Sequence, residues 1–221
     1  SWSMSTAIYY RLARQVQAGE SAAVDDPFQP FNYGMARVTQ GGGRPRCGSG
    51  GAYPSDGARG FCTYGWVSYR EAGVAYSGRL ADQWGCQGPP RALLNLAKAR
   101  AGGETHPIRA TDECIEAIAY GFPVTLGMPW GRRRERQADG YTVTEFPTRA
   151  AEGHAICIVG YDGTAGDGQF VIHNSHGPDA HTRNPGDPPG SFRVTRRMFD
   201  DLVEVSELWA YSDVKGFPAK E

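Results

Sequence analysis

The spacing of apolar residues changes about halfway along the chain, and its first half is helical in pattern. In the first segment apolar residues recur every four positions, which predicts one face of a helix that ends at Gly19. This face is formed by Met4, Ile8, Leu12 and Val16, and the polar side by Arg11, Arg14 and Gln15. Proline and glycine boundaries predict further helices over 54–64, 90–100 and 111–121, the last capped by Thr111 or Asp112.

From residue 122 on, apolar residues come in short runs rich in β-branched and aromatic side chains, which predicts strands. The runs are 122–128, 154–161, 169–174, 191–195 and 207–212. The turn-like stretch YDGTAGDGQ joins the second and third runs into a hairpin. Helices followed by strands predict an α+β protein with a mainly helical lobe (1–110), a mainly antiparallel sheet lobe (111–221) and an active-site cleft between them.

Composition narrows the class of protein. The 221 residues suit one domain, and 23 basic against 24 acidic residues give a net charge of −1. This balance points to neither nucleic acid nor an anionic membrane as a partner, and no apolar run approaches the roughly 18 residues of a membrane span. The basic stretch GRRRER (131–136) is predicted to be a solvated loop, and long loops are predicted over 17–53 and 177–190.

The cysteines follow no metal-binding spacing such as CxxC, and they assign no compartment. Three of them, Cys62, Cys114 and Cys157, lie in helical or strand patterns and are predicted to be buried thiols. Cys47 and Cys86 lie in glycine-rich stretches, where a disulfide is more plausible.

The strongest chemical signal is the stretch GHAICIVGYDGTAGDGQFVIHNSHG. His154 opens one predicted strand, and Asn174 closes the strand that follows it, 20 residues later. In an antiparallel hairpin these two ends lie side by side, so the asparagine amide can orient the imidazole as in a nucleophile–His–Asn site. The alternative is a core histidine bonded to the backbone.

This stretch resembles the papain-like (C1) cysteine peptidases, whose order of motifs it repeats over about forty residues. The matching groups are His154-Ala155, Val159-Gly160-Tyr161, Asn174-Ser175-His176-Gly177 and Gly190-Ser191-Phe192-Arg193. The resemblance implies the two-lobed papain-like fold and hydrolysis of peptide bonds without a cofactor or metal. It also implies an extended peptide or protein substrate.

Two upstream stretches extend the resemblance. Ser1-Trp2 stands where the family has Cys-Trp at the start of its central helix, 153 residues before His154, against about 130–150 expected in such enzymes. The stretch CGSGGAYPSDGA matches the family's glycine pair before Tyr-Pro. The implied catalytic residues are Ser1, His154 and Asn174, and the implied substrate-binding residues are Trp2, Gly50, Gly51 and Gly153. An ordinary glycine-rich turn is the alternative for residues 50–51.

Departures from the family pattern are informative as well. The nucleophile position holds serine, and the oxyanion-hole glutamine would fall before residue 1, as would the family's disulfide partner for Cys47. His176 replaces the tryptophan that shields the His–Asn pair, which predicts a more exposed and weaker bond.

Three interpretations of the serine remain open. In the first, the natural residue at position 1 is cysteine and the protein is a peptidase. In the second, Ser1 is natural and the fold is a binding or structural module, with a protein partner in a larger assembly. In the third, Ser1, His154 and Asn174 form a working hydrolase.

Two other kinds of site have weaker support in the sequence. The histidine-rich stretch HNSHGPDAH could hold zinc through His173, His176, Asp179 and His181, but no second group of ligands accompanies it. The Gly-x-Ser-x-Gly elbow of α/β-hydrolases is absent from the sequence.

Overall fold

The structure is a computed structural model, and it describes residues 1–45, 47–48 and 50–216. The helices of these residues are α1 (Trp2–Gln17), α2 (Gln29–Gln40), α3 (Pro54–Tyr64), α4 (Tyr69–Ala72), α5 (Gly78–Gln87), α6 (Arg91–Ala97), α7 (Thr111–Ala119) and α8 (Arg196–Val203), with a 3-10 turn over Lys98–Arg100. The strands are β1 (Glu104–Ile108), β2 (Val124–Trp130), β3 (Arg134–Ala138), β4 (Tyr141–Glu145), β5 (Glu152–Asp162), β6 (Gln169–His173), β7 (Ser191–Thr195) and β8 (Glu207–Asp213).

The chain forms two compact units, one of Ser1–His106 with the segment from Tyr211 on, the other of Pro107–Ala210. Mixed helices and a mainly antiparallel sheet confirm the predicted α+β class. In the described part of the chain, no helix is long and apolar enough to cross a membrane.

Helix α1 has the predicted apolar face, with Met4, Ile8 and Leu12 buried. The prediction for its polar side is wrong in part. Arg11 is half-buried, and its Nε donates to the carbonyl of Ser212 at 2.7 Å. Gln15 is buried, and its Nε2 donates to Oδ1 of Asp213 at 3.2 Å. These side chains are covered because the chain returns to the first unit after residue 210, a contact that local spacing does not reveal.

The predicted loop over 17–53 is wrong, because it contains α2. Apolar residues at spacings of three and four form the buried face of this helix and its entry; they are Phe28, Phe31, Met35 and Val38. This face packs in one cluster with Trp84 of α5, a helix that was also not predicted. The helical pattern of α2 is hidden by its proline and glycine residues. Pro30 lies in the first turn, where proline is tolerated, and Gly34 lets Pro89 approach closely.

The cysteines of the first unit follow the predictions in part. Cys47 and Cys86 form a disulfide, although Cys86 lies in α5 and not in a loop. Cys62 is half-buried in α3, so the prediction of a fully buried thiol is wrong there, whereas Cys114 and Cys157 in the second unit are buried.

The sheet has the strand order β1-β8-β2-β5-β6-β7-β4-β3. Strands β2, β5, β6 and β8 lie where the apolar runs predict them, and β7 matches its predicted bounds. Strands β3 and β4 were not predicted, and the loop predicted for 131–136 is wrong from Arg134 on. Residues 134–137 are all exposed because β3 ends the sheet and has only β4 as a neighbour, so no apolar alternation marks it.

Helices α7 and α8 cover the apolar side of this sheet. Cys114 and Phe199 pack with the strand residues Ile156, Ile158 and Phe170 in one core cluster. Helix α7 begins at Thr111 with Ala110 as its cap residue, so the predicted cap by Thr111 or Asp112 is wrong. The carboxylate of Glu113 instead accepts the N–H of Arg109 at 2.7 Å.

Candidate active site

His154 and Asn174 are brought together by the β5–β6 hairpin, as their spacing predicts. The two strands are antiparallel, and Cys157 lies opposite His173 at the end of β6. Asn174, the next residue, therefore lies beside the beginning of β5, where His154 is found. The Nε2 atom of His154 lies 2.8 Å from Oδ1 of Asn174.

The orientation of the Asn174 amide is fixed by its neighbour in the chain. The backbone N–H of Ser175 can only donate, and it lies 2.8 Å from the same Oδ1 atom. The atom that faces His154 is therefore the oxygen, and His154 must carry its proton on Nε2. This leaves the lone pair of Nδ1 available to accept a proton from a nucleophile.

Aromatic rings pack around this pair. The ring of His176 stacks on His154 at 4.8 Å between centroids, and the indole of Trp130 lies 4.5 Å from the His154 ring. Asn174 is only 2% exposed. Imidazole and indole thus cover the Asn174 end of the bond, so exposure there is not observed, whereas a bond weaker than that of the family stays a prediction.

Trp130 was missed by the sequence reasoning, although the pattern of β2 could have found it. Val124, Leu126 and Met128 alternate along the buried face of β2, and Met128 pairs with His154. Extending this period of two by one step places Trp130 on the face that carries His154.

The same surroundings make the histidines weak bases. Burial lowers the pKa of His154, with a smaller contribution from His176, while the Asn174 bond acts in the opposite direction. Burial and the neighbouring Arg133 lower the pKa of His181 to about 4. Both imidazoles are therefore neutral at neutral pH.

His181 lies on the opposite side of Asn174 from His154. The Nδ2 atom of Asn174 is 2.8 Å from Nε2 of His181 and 3.2 Å from Nδ1 of His176. The sequence suggests His181 only as a possible zinc ligand. Within the described ranges, no group of three His, Cys, Asp or Glu side chains is placed to hold a metal ion.

In the first unit, Ser1 is the cap residue of α1. Its carbonyl accepts the N–H of Ser5 at 2.9 Å, its side chain makes no capping bond, and the residue is exposed. Trp2 is half-buried in the first turn. Residue 1 therefore stands at the N-terminus of a helix of 16 residues, where the helix dipole favours negative charge.

The glycine candidates lie on exposed backbone. Gly51 has φ of 98°, its N–H donates to the Tyr33 hydroxyl at 3.0 Å, and its carbonyl accepts from Arg37 at 2.8 Å. Gly50 is exposed beside it, and Gly153 is exposed in β5 opposite Pro129, next to His154. A substrate that paired with Gly51 would have to exchange with Tyr33 and Arg37.

Solved structures share this architecture. Xylellain, a cysteine protease from Xylella fastidiosa, matches with a TM-score of 0.65 at 19% sequence identity, over 96% of this chain and 78% of that chain. The Carica candamarcensis cysteine protease CMS1MS2, solved in complex with E-64, matches with a TM-score of 0.58 at 16% identity, over 96% of this chain and 87% of that one. Neither a scan of protein-family models nor a search of curated protein sequences gives a match. The chain therefore has the fold of the papain-like cysteine proteases.

Proposed function

We propose that the protein binds an extended peptide and carries a peptide-hydrolysing site of the papain type, with Ser1 at the nucleophile position. His154 is the base, and Asn174 orients it. The residues that contribute to peptide binding are Trp2, Gly50, Gly51 and Gly153. The observation that carries this proposal is the 2.8 Å bond from His154 Nε2 to Asn174 Oδ1, which leaves Nδ1 as the basic atom.

The chemistry follows from these roles. The nucleophile at residue 1 attacks the peptide carbonyl while Nδ1 of His154 takes its proton, and the imidazolium then returns that proton to the leaving amine. The first turn of α1 offers backbone N–H groups to negative charge near residue 1. Water then attacks the acyl group while Nδ1 of His154 takes its proton. The imidazolium returns this proton to the side chain of residue 1 as the acid leaves.

Whether the attacking atom at residue 1 is sulfur or oxygen decides the rate of this reaction. A thiol near a helix N-terminus and a histidine ionises readily, whereas a serine hydroxyl keeps its proton until the moment of attack. We therefore expect the chain with Ser1 to bind peptides and to hydrolyse them slowly or not at all.

Replacing Ser1 by cysteine tests the proposal. We expect Ser1→Cys to react with a thiol-directed epoxide at residue 1, with the adduct located by mass spectrometry. A second change, His154→Ala, should slow this labelling by at least about 100-fold, because it removes the general base.

The chain with Ser1 is the matched control, because it keeps the half-buried thiol of Cys62 and the buried thiols of Cys114 and Cys157. Labelling is done without a reductant, so that the Cys47–Cys86 disulfide stays closed. An absence of adduct at residue 1 in Ser1→Cys contradicts the proposal.

The serine itself favours a second candidate, a module that binds a protein partner without cleaving it. In that case a partner should co-purify to the same extent with Ser1 and with Ser1→Cys. A partner-free Ser1→Cys chain that cleaves peptides would contradict this candidate.

A further inference from the structure

The backbone of Gly51 is bonded on both sides to side chains of α2. Its N–H donates to the Tyr33 hydroxyl at 3.0 Å, and its carbonyl accepts from Nη1 of Arg37 at 2.8 Å. Arg37 is buried, and a hydrogen bond from a charged donor is about twice as strong as one between neutral groups. A peptide that paired with Gly51 would therefore have to displace two partners, one of them strongly bound.

Gly50 differs from its neighbour in each of these respects. It is exposed and forms no hydrogen bond with the described residues. Its φ lies outside the left-handed region, and a Cβ atom there would meet only the Tyr33 hydroxyl among the described residues, at an ordinary 3.8 Å. Gly51 has φ of 98° and needs glycine for its own conformation. The fold does not require glycine at position 50, whereas the close approach of a peptide backbone would.

We propose that the peptide pairs with the backbone of Gly50, and that Tyr33 is a positioning residue that holds this backbone through Gly51. This assignment rests on the proposed function and names the part of the glycine segment that meets the peptide. Pairing with Gly50 leaves the bonds of Gly51 to Tyr33 and Arg37 intact, and these bonds then keep the segment in place. Tyr33 acts through Gly51 and touches no reacting atom.

Tyr33 is held firmly enough to serve as an anchor. Its ring packs against the backbone of α5 at Gly85, where a Cβ atom would come within 2.6 Å of the ring. Helices α2 and α5 share one apolar core cluster. The next residue of α5, Cys86, is joined to the glycine segment by the disulfide with Cys47. A hydroxyl on a fixed ring can hold a neighbouring backbone, whereas one on a mobile ring would follow it.

Stability measurements test the difference between the two glycines without any peptide. We expect Gly50→Ala to change the ratio of folded to unfolded protein by no more than about fivefold, because its φ and its surroundings accept a Cβ atom. Gly51→Ala should lower this ratio by at least about tenfold, because its φ lies in the left-handed region. Urea unfolding gives both ratios, and an equal loss in the two variants overturns the assignment of Gly50.

The second test removes the hydroxyl of Tyr33 and keeps its ring. In Tyr33→Phe we expect the NMR order parameter of the Gly51 N–H to fall from about 0.85, the value of rigid backbone, to below about 0.6. The amide of Ala36, which is buried in the same helix as Tyr33, is the control and should stay near about 0.85. An unchanged order parameter at Gly51 overturns the positioning role of Tyr33.

Binding of a dipeptide linked to an epoxide decides where the peptide pairs. In the chain with Ser1, Gly50→Ala should raise the Kd of this probe at least about tenfold, and Tyr33→Phe about fivefold. The control is Gly78→Ala, which adds the same methyl group at an exposed glycine of ordinary φ in α5 and should leave the Kd within about twofold. A lower Kd in Tyr33→Phe would mean that the probe pairs with the freed N–H of Gly51, and it overturns the proposal. An unchanged Kd in Gly50→Ala does the same.

Labelling of Ser1→Cys by this probe keeps a failure of the proposed function apart. If the probe binds the chain with Ser1 and shows these changes in Kd, but does not label Ser1→Cys, the proposed function fails and the assignment of Gly50 stands. If Ser1→Cys is labelled, and adding Gly50→Ala leaves the half-saturating probe concentration unchanged, the assignment fails and the proposed function stands. If the probe neither binds nor labels, both fail.

Discussion

At the scale of single residues, the candidate site is built from neutral imidazoles held by one asparagine. Asn174 accepts on one side and donates on the other, and each histidine around it needs a particular tautomer to take part. Burial keeps these imidazoles neutral because it disfavours the charged form of histidine. The site should therefore be sensitive to acid through its histidines.

The stability of the protein should fall as the pH drops from 7 towards 4. The pKa of His181 is about 4 in the folded protein against an ordinary value of 6.5, so between these values the unfolded chain binds more protons. The stabilisation is complete above pH 6.5 and is lost as the pH falls through this window, by at most about 3 kcal/mol from His181.

Urea unfolding at a series of pH values measures this loss, with His181→Phe as the control that lacks the titrating ring. The fall in unfolding free energy between pH 7 and pH 4 should be smaller in His181→Phe. An equal fall in both proteins would show that His181 does not titrate in this way.

At the scale of elements, the loop between β6 and β7 owes its position to a buried ion pair. Arg193 of β7 meets Asp187 through two bonds of 2.7 and 2.8 Å, and both side chains are under 10% exposed. The guanidinium also lies 3.6 Å from the ring of Tyr141. The loop that carries His181 is thus fixed close to where it rejoins the sheet.

Removing one partner of this pair should be costly. We expect Asp187→Ala to lower the unfolding free energy by about 3–5 kcal/mol, because it leaves the Arg193 charge buried with less compensation. Urea unfolding measures the change.

The matched control is Glu145→Ala, which breaks an exposed pair with Arg136 on the β3–β4 hairpin. Its effect should stay within about 1 kcal/mol. Equal losses in Asp187→Ala and Glu145→Ala would contradict a structural role for the buried pair.

The spacing of apolar residues in the sequence predicts the helices and strands that have one clear apolar face. It fails where an element depends on contacts with residues that are distant in sequence. The hairpin with His154 and Asn174 follows from alternation and a glycine-rich turn. The contact between His181 and Arg133 could not be predicted, because the two residues lie 48 positions apart in sequence. Strand β3 was missed since its residues are mostly charged or polar and exposed, and only its pairing with β4 makes it a strand.

At the scale of the whole molecule, covalent closure strengthens the first unit. The Cys47–Cys86 disulfide joins residues 39 apart, with α3 and α4 inside the loop that it closes. Such a loop restricts the unfolded chain and leaves the folded contacts unchanged.

Breaking this disulfide should lower the unfolding free energy by up to about 4 kcal/mol in the chain-entropy description. The measurement is urea unfolding of Cys47→Ser/Cys86→Ser against the unaltered chain, with Cys62→Ser as a control that removes an unpaired thiol. A loss no larger than that of Cys62→Ser would contradict the expectation.

The return of the chain to its first unit after residue 210 has a consequence for synthesis on the ribosome. Arg11 and Gln15 of α1 wait for Ser212 and Asp213, which are made about 200 residues later. At about 5–20 residues per second, that interval lasts about 10–40 seconds, during which this side of α1 lacks its cover. The nascent first unit therefore needs either a chaperone or tolerance of an incomplete surface until residues 212 and 213 emerge.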